Sequence, residues 1–571
     1  MRRRFWVVAL FAVLAMVAAA CGGGATTTTT AAPATTAATT TTAPTTTTTA
    51  ATTTTEAPPS PKTIIIGTTD TIAEFDSADA YSVRDWEIIR NTGVGLLTFA
   101  PGTTDLVPGI AKSYDVSDDG KTYTFHLRDD VKFGDGLALT APMYVDHIHR
   151  MLTLDGSGGV GGALGTPYID TVSAPDDLTV VFQLKDAFGY FPQIVAGAPY
   201  IPMDPNQFPQ DALVEFPDPP FYGVGPWTVT DYTIGEQMVL EPNEFYFGDK
   251  PKVDRIIIKD YSDAQTMALA LQNHEIDIAW RTIAQPDLLE QLKGVDGLTV
   301  ATVPGGSIRY LIINHALSPT DDSNVRKALA YALDRDDIVD RVSGGTWEPL
   351  YSMDPPGFLG ATEAFDTMYG SPNLDKAKEA LKAAGYSESN KLELQLSFPP
   401  QHYGGTVSDT MQVLKEQFEA TGMINVTLNS QEWSTYIGAV IGGADYTVSL
   451  LGWFFDYPDP SNYLEPFVLN GGLGTMVTDP DTGEALSDEA ANLVDLLKQA
   501  ATSTDQAKRA DLYGQAQDVY ADLVVTIPMW FEAEHVIYWD NISGSATDAN
   551  PQSLNIGPSF DLNYALLDIT G

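Results

Sequence analysis

From Gly22 to Pro61 the chain is almost entirely threonine, alanine, glycine and proline, and Glu56 is its one charged residue. Such a run has no large apolar side chain to bury and cannot repay the entropy of ordering. It reads as an extended tether. Whatever folds must lie between Lys62 and Gly571. That span is longer than one hydrophobic core supports, so two or more lobes are expected.

What precedes the tether says where it hangs. MRRRFWVVALFAVLAMVAAAC opens with Arg2, Arg3 and Arg4, runs apolar from Phe5 to Ala20, and reaches Cys21 through small residues. This is the pattern of a secretory signal over residues 1–20. The apolar run falls short of the roughly 20 residues a spanning helix needs. AAAC resembles a bacterial lipobox, which implies Cys21 as the lipidated first residue of the mature chain, with the tether at 21–61. Cys21 is the only cysteine, so an internal disulfide framework and a thiolate metal cluster are both excluded. The net charge of −44 repels phosphate backbones and argues against any nucleic-acid partner. Its plainest reading is solubility.

Beyond Lys62 strands and helices mix. KTIIIGTTD reads as a buried strand. SYDVSDDGKTYTFHLR reads as two strands turning at SDDGK, with period-two alternation in TYTFHLR. APMYVDHIHRML is a helix with Met143, Ile148, Met151 and Leu152 as its apolar stripe. GPWTVTDYTIGEQMVLEPN is a hairpin turning near Gly235, and SDAQTMALALQNHEI is a helix expected to start at Ser262. Helices follow at NVRKALAYALDRDDIVDRV and at NLDKAKEALKAAGY, the latter capped by Gly385. KLELQLSF, INVTLNSQEW and DYTVSLLGWFF alternate with helices, and a helical pair covers 488–523. The fold class is α/β, with α+β features from the hairpins.

Six of these stretches, in order, carry a resemblance. They are LVPGIAKSYDVSDDGKTYTFHLRDDVKFGDGLALTA, GVGPWTVTDYTIGEQMVLEPNEFYFGDKPKVDRIII, NHEIDIA, NVRKALAYALDRDDIV, DKAKEALKAAGY and GWFFDYPDPSNYLEPF. Together they resemble the family 5 extracytoplasmic solute-binding proteins of ABC importers, the oligopeptide, dipeptide and nickel group, with Trp227 where that group usually has tyrosine. The resemblance implies a two-lobe periplasmic-binding-protein-like fold of type II, cluster C. Lobe I would comprise 62–105, 223–312 and 528–571, with an extra subdomain at 106–222 and lobe II at 313–527. Strands crossing near 310–314 and 527–532 would form the hinge. Closure around a ligand would present the protein to permease subunits.

The candidate site begins at Asp456. In GWFFDYPDP it sits among Trp453, Phe454, Phe455 and Tyr457, where a carboxylate is costly unless paired. The resemblance implies that it meets a peptide's α-ammonium. Asp459, before Pro460, reads as structural. Trp433 in NSQEWSTYI and Trp453 are implied to line side-chain pockets, a role suited to large flat rings. Arg281 in DIAWRT, beside Trp280, and Arg309 in GGSIRYLIIN are scarce cations among apolar strands. Either can hold a carboxylate through a bidentate fork or pair with the chain's own acids. Tyr457, Tyr81, Met353 and His402 complete the expected cleft set.

No Gly-x-Ser-x-Gly elbow, His-Glu-x-x-His pair or phosphate loop is present. Asp456 and Asp459 beside prolines are poor grounds for a glycoside hydrolase. His147 and His149, two apart on a helix, face different sides and do not share a metal. The expectation is a monomeric, lipid-anchored receptor without cofactor or catalysis. It would capture a small solute, a short peptide foremost, on the extracytoplasmic face. A nickel or metal chelate, a sugar or an opine is the alternative ligand.

Overall fold

The structure, a computed structural model, describes residues 61–154, 164–281, 283, 285–370, 372–400, 402–403, 406–441, 446–544, 554 and 561–570. The signal, Cys21 and the tether through residue 60 lie outside the described residues.

Eleven strands form the main sheet. Thr63–Thr68, with its three isoleucines, lies between parallel neighbours Arg255–Asp260 and Ile278–Trp280. Flanked strands of this kind read as continuous apolar runs. The hairpin Trp227–Thr233 and Gln237–Pro242 closes that edge. Its turn holds Gly235 at φ +76°, a conformation glycine adopts without steric cost. On the other side the sheet continues into two long antiparallel strands, Leu298–Ile313 and Thr526–Trp539. Val448–Trp453, Leu392–Phe398 and Ile424–Ser430 complete it, and Trp347–Pro349 pairs with the second long strand.

The two long strands connect the halves of the sheet. Near one end Val536–Tyr538 pairs with Ile278–Trp280. Near the other, Ile308–Ile313 pairs with Val448–Trp453. Their mutual register shifts between Pro304 and Ile308, and again between Arg309 and Tyr310 within the second contact. Shifts of this kind bend a strand and locally weaken its ladder.

A separate four-stranded sheet holds Ala111–Val116, Thr122–Leu127, Thr179–Leu184 and Ile169–Asp176, in that spatial order. Tyr123, Phe125 and Leu127 point into its core while Thr122, Thr124 and His126 face outward, as the alternation requires. Helix Ala141–Leu154 covers it through Tyr144, Ile148 and Met151. Arg150 on that helix makes a buried fork with Asp76 at 2.7 and 2.6 Å. This fastens the sheet module to the N-terminal loop. The helix expected to begin at Ser262 begins one residue later. Asp263 accepts from the Thr266 amide, while the Ser262 hydroxyl is engaged with the Asp263 carboxylate.

Candidate functional site

Two cavities adjoin where the long strands pass between the halves. Tyr403 lines both.

The first is aromatic, with a volume of about 300 Å³. Strand pairing assembles it: Ile308 lies opposite Trp453 and Arg309 opposite Gly452. Helix Trp433–Ile441 adds Trp433 and Ile437, and a turn adds His402 and Tyr403. The His402 and Trp433 rings lie 3.5 Å apart and 4° from parallel. Burial, and then the charge of Arg309, hold His402 below the usual imidazole range. Trp453 donates its indole N–H to the Asn462 side-chain oxygen at 3.1 Å and sets its ring edge-on to Phe467. The Arg309 guanidinium lies 4.6 Å from the centre of the Tyr403 ring and pairs with Glu532 at 2.7 Å. Gly452 leaves room for this arrangement, because a Cβ there would sit 2.9 Å from Arg309 Nη1 and 3.0 Å from Tyr403 Cε1.

The second cavity is polar and larger, about 530 Å³. One half of the molecule supplies Asp70, Arg281 and Gln285, and the other Ser343, Thr346 and Thr406. Residues Glu532–His535 of the long C-terminal strand join them. Arg281 sits at φ +53°, in the left-handed region that costs a non-glycine residue energy. Its amide donates to the His535 carbonyl, and its guanidinium meets Asp70 at 2.5 Å. Glu534 has a carboxyl pushed up to about 7. Burial is the main cause, Arg281 opposes it, and Glu532 and Asp70 add to it.

Asp456 lies on the loop just beyond Trp453. Its carboxylate accepts from the Tyr81 hydroxyl and, at 3.1 Å, from the Asn462 amide. Burial raises its pKa, and those two hydrogen bonds oppose the rise. Tyr81 is 52% exposed. Asp459 belongs to the framework: it caps the Ser461 amide and pairs with Arg509 at 2.8 Å, both side chains fully buried.

The structure thus gathers Arg309, His402, Trp433 and Trp453 around one chamber, puts Arg281 in the next, and pairs Asp456 with Tyr81. Three residues expected at the cleft are packed elsewhere. Trp280 is fully buried and donates to Glu87 at 2.9 Å. Met353 is fully buried in the main core. Tyr457 stacks on Tyr190 at 5.5 Å, joining the four-stranded module to the second half. Sequence reasoning missed Asp70, Tyr403, Glu532 and Glu534. The two glutamates had a signal: acids two apart in the otherwise apolar IPMWFEAEHVIYW. Among the described residues no group of three or more histidine, cysteine or acidic side chains is placed to hold a metal ion, and no helix is long and apolar enough to cross a membrane.

The model of bacterial extracellular solute-binding proteins, family 5 middle, matches residues 105–475. The oligopeptide-binding protein OppA of Bacillus subtilis (strain 168) is 27% identical, covering 80% of this chain and 85% of its own. Di/tripeptide-binding protein 1 of Pseudomonas aeruginosa (strain UCBPP-PA14) is 29% identical, covering 80% and 86%. Among solved structures, the ABC transporter-associated periplasmic binding protein DppA from Helicobacter pylori, in complex with peptide STSA, superposes with a TM-score of 0.67. It is 21% identical and covers 89% of this chain and 98% of its own. The fold is the two-lobe α/β fold of periplasmic binding proteins.

Proposed function

The chain belongs to the bacterial extracellular solute-binding proteins of family 5, and from that premise we propose that it captures a short peptide between its lobes and hands it to an ABC permease. The two curated relatives above are named for oligopeptides and for di- and tripeptides, and the solved relative is named with a bound peptide. The observation that carries the reading here is Asp456. Among the described residues its carboxylate has hydrogen-bond donors that are all neutral, Tyr81 and Asn462, and no ion-pair partner. A part-buried carboxylate satisfied only by neutral donors is placed to gain from a cation. A peptide's α-ammonium is such a cation.

In this reading Trp433 and Trp453 receive a side chain against their rings. Arg281 and Arg309 border the same cleft. The register shifts in the two long strands are where the lobes pivot, with 62–105, 223–312 and 528–571 moving against 313–527. The protein binds and does not react. A lipid on Cys21 and the tether keep a monomer within reach of its permease.

Calorimetry with tripeptides tests the anchor. Asp456→Ala is expected to weaken a tripeptide with a free amino end by about 30-fold or more, the scale of a charged hydrogen bond lost from a buried site. The N-acetylated peptide should bind wild type and variant equally poorly. Full affinity in Asp456→Ala would remove the amine-anchor role. Native mass spectrometry that releases a metal, a sugar or one discrete metabolite instead of peptides would remove the peptide reading.

A further inference from the structure

The polar chamber has an imbalance of charge. Its carboxylates are Asp70, Glu532 and Glu534, and Arg281 is the permanent cation among its lining residues; Arg309, which lines the aromatic chamber, meets it through Glu532. Arg281 is held by Asp70 at 2.5 Å and stands 3.9 Å from Glu87 behind it. Arg309 is held by Glu532 at 2.7 Å. Glu87 is itself fully buried, with Arg84 at 3.5 Å and the Trp280 indole as partners. Arg281 therefore lines the chamber already paired, and Arg309 occupies Glu532 from the neighbouring one. Glu534 forms no ion pair among the described residues. His535 next to it is kept below the usual imidazole range, by burial first and then by Lys293, and so adds no positive charge near neutral pH. Tyr403, on the facing wall, has its phenol pushed up to about 12 by burial and stays neutral.

Resting on the peptide reading above, we propose that the polar chamber is a cation pocket: Glu534 takes the basic side chain of a peptide carrying lysine or arginine, and the two paired arginines leave no open place for an acidic side chain. The spacing of residues 532 and 534 along a strand puts both acids on one face, and Arg309 satisfies only the first. Glu534 is half-buried, and drawing an unpaired carboxylate part-way out of water is costly; a ligand cation offsets that cost. The same cost raises the Glu534 carboxyl to about 7. Asp70 and Glu532 add to the rise and Arg281 opposes it, so the pocket carries its charge above neutral pH and loses it below.

The test uses the purified protein and tripeptides of alanine in which each position in turn carries lysine, its neutral isostere norleucine, or glutamate. At pH 8 the best lysine peptide should bind about tenfold or more tighter than the matching norleucine peptide, the scale of a charge-assisted hydrogen bond. The glutamate peptide should be the weakest. Glu534→Gln should bring the lysine-to-norleucine ratio to about one, since the carboxamide keeps the shape and loses the charge. Should that variant fail to fold, wild type alone decides by pH. The ratio should fall between pH 8 and pH 5.5 and the lysine peptide should release protons on binding near pH 7, readable as a dependence of the heat on buffer. Equal affinity for lysine and norleucine in wild type, or a ratio that survives Glu534→Gln or low pH, overturns the cation pocket and leaves the peptide reading standing. No binding by any member of the set overturns both.

Discussion

The two chambers share Tyr403 and differ in how they are made. All the lining of the aromatic chamber lies between Ser307 and Leu473, on the long strand and the half of the sheet that continues from it. The polar chamber draws on Asp70, Arg281 and Gln285 from one half and on Ser343, Thr346 and Thr406 from the other. Most of the first comes from segments between His402 and Leu473, with Ser307, Arg309 and Tyr310 added by the first long strand. The second needs side chains from both halves of the molecule. On the function proposed above, the first would be an apolar side-chain pocket and the second a charged pocket drawn from both halves. The first supplies area and tolerates shape; the second supplies selection by charge.

That contrast can be tested at several strengths. The largest effect should come from Trp433→Ala. It removes one member of the ring stack with His402, and peptides with a large apolar side chain should lose about 100-fold in affinity, close to 3 kcal/mol, as measured by calorimetry. The lysine-to-norleucine ratio should not follow it. If the ratio falls in parallel, the chambers are not separate.

Arg309→Met comes next, because Arg309 joins the two chambers through Tyr403 and Glu532. It leaves Glu532 without its partner in a site only part open to water. Stability in denaturant should drop by about 2 kcal/mol, less than for a fully buried pair because Glu532 keeps some solvent. An unchanged midpoint would mean that Glu532 had been paired by solvent all along.

The smallest effect concerns protons in the aromatic chamber. His402 is held below the usual imidazole range by burial and by Arg309. A histidine lowered in this way stays neutral through the region where a free imidazole charges. Its contribution to stability is present at higher pH and fades only as pH drops below the ordinary value. Between pH 6 and pH 7, where a peptide's α-amino group stays largely protonated, a wholly apolar tripeptide should therefore change affinity by less than about twofold. The lysine peptide should change more, because Glu534 titrates in the same interval. Equal pH profiles for the two peptides would erase the distinction.

Legibility differed between the chambers for the same reason. Trp433 and Trp453 were expected from the family resemblance and Arg309 as a scarce cation among apolar strands; with His402 they line the aromatic chamber, and pairing of Ile308–Ile313 with Val448–Trp453 brings Arg309 beside Trp453. Of the polar chamber only Arg281 was found. Asp70 and Thr346 sit in connecting segments with no local pattern, and Glu532 and Glu534 show as acids in a strand only once the strand is known to cross between the halves. Trp280 was misplaced because a tryptophan ending a strand looks the same whether it faces a cleft or a core. Glu87, nearly two hundred positions away in sequence, draws its indole inward.

What the amino-acid order determined by itself is local: the alternation of TYTFHLR, the isoleucine run of the first strand, the glycine of the hairpin at 235, and the crowding of aromatic rings around Asp456. Each follows from interactions within a few residues. Which charges are already satisfied was decided only in three dimensions. Arg281 found Asp70, 211 positions distant, and Arg309 found Glu532 across the paired long strands, while among the described residues Asp456 was left with neutral donors and Glu534 with no ion pair. The physical reason is that an ion pair is set by separation in space and by the water excluded around it, and a linear sequence encodes neither until the strands cross.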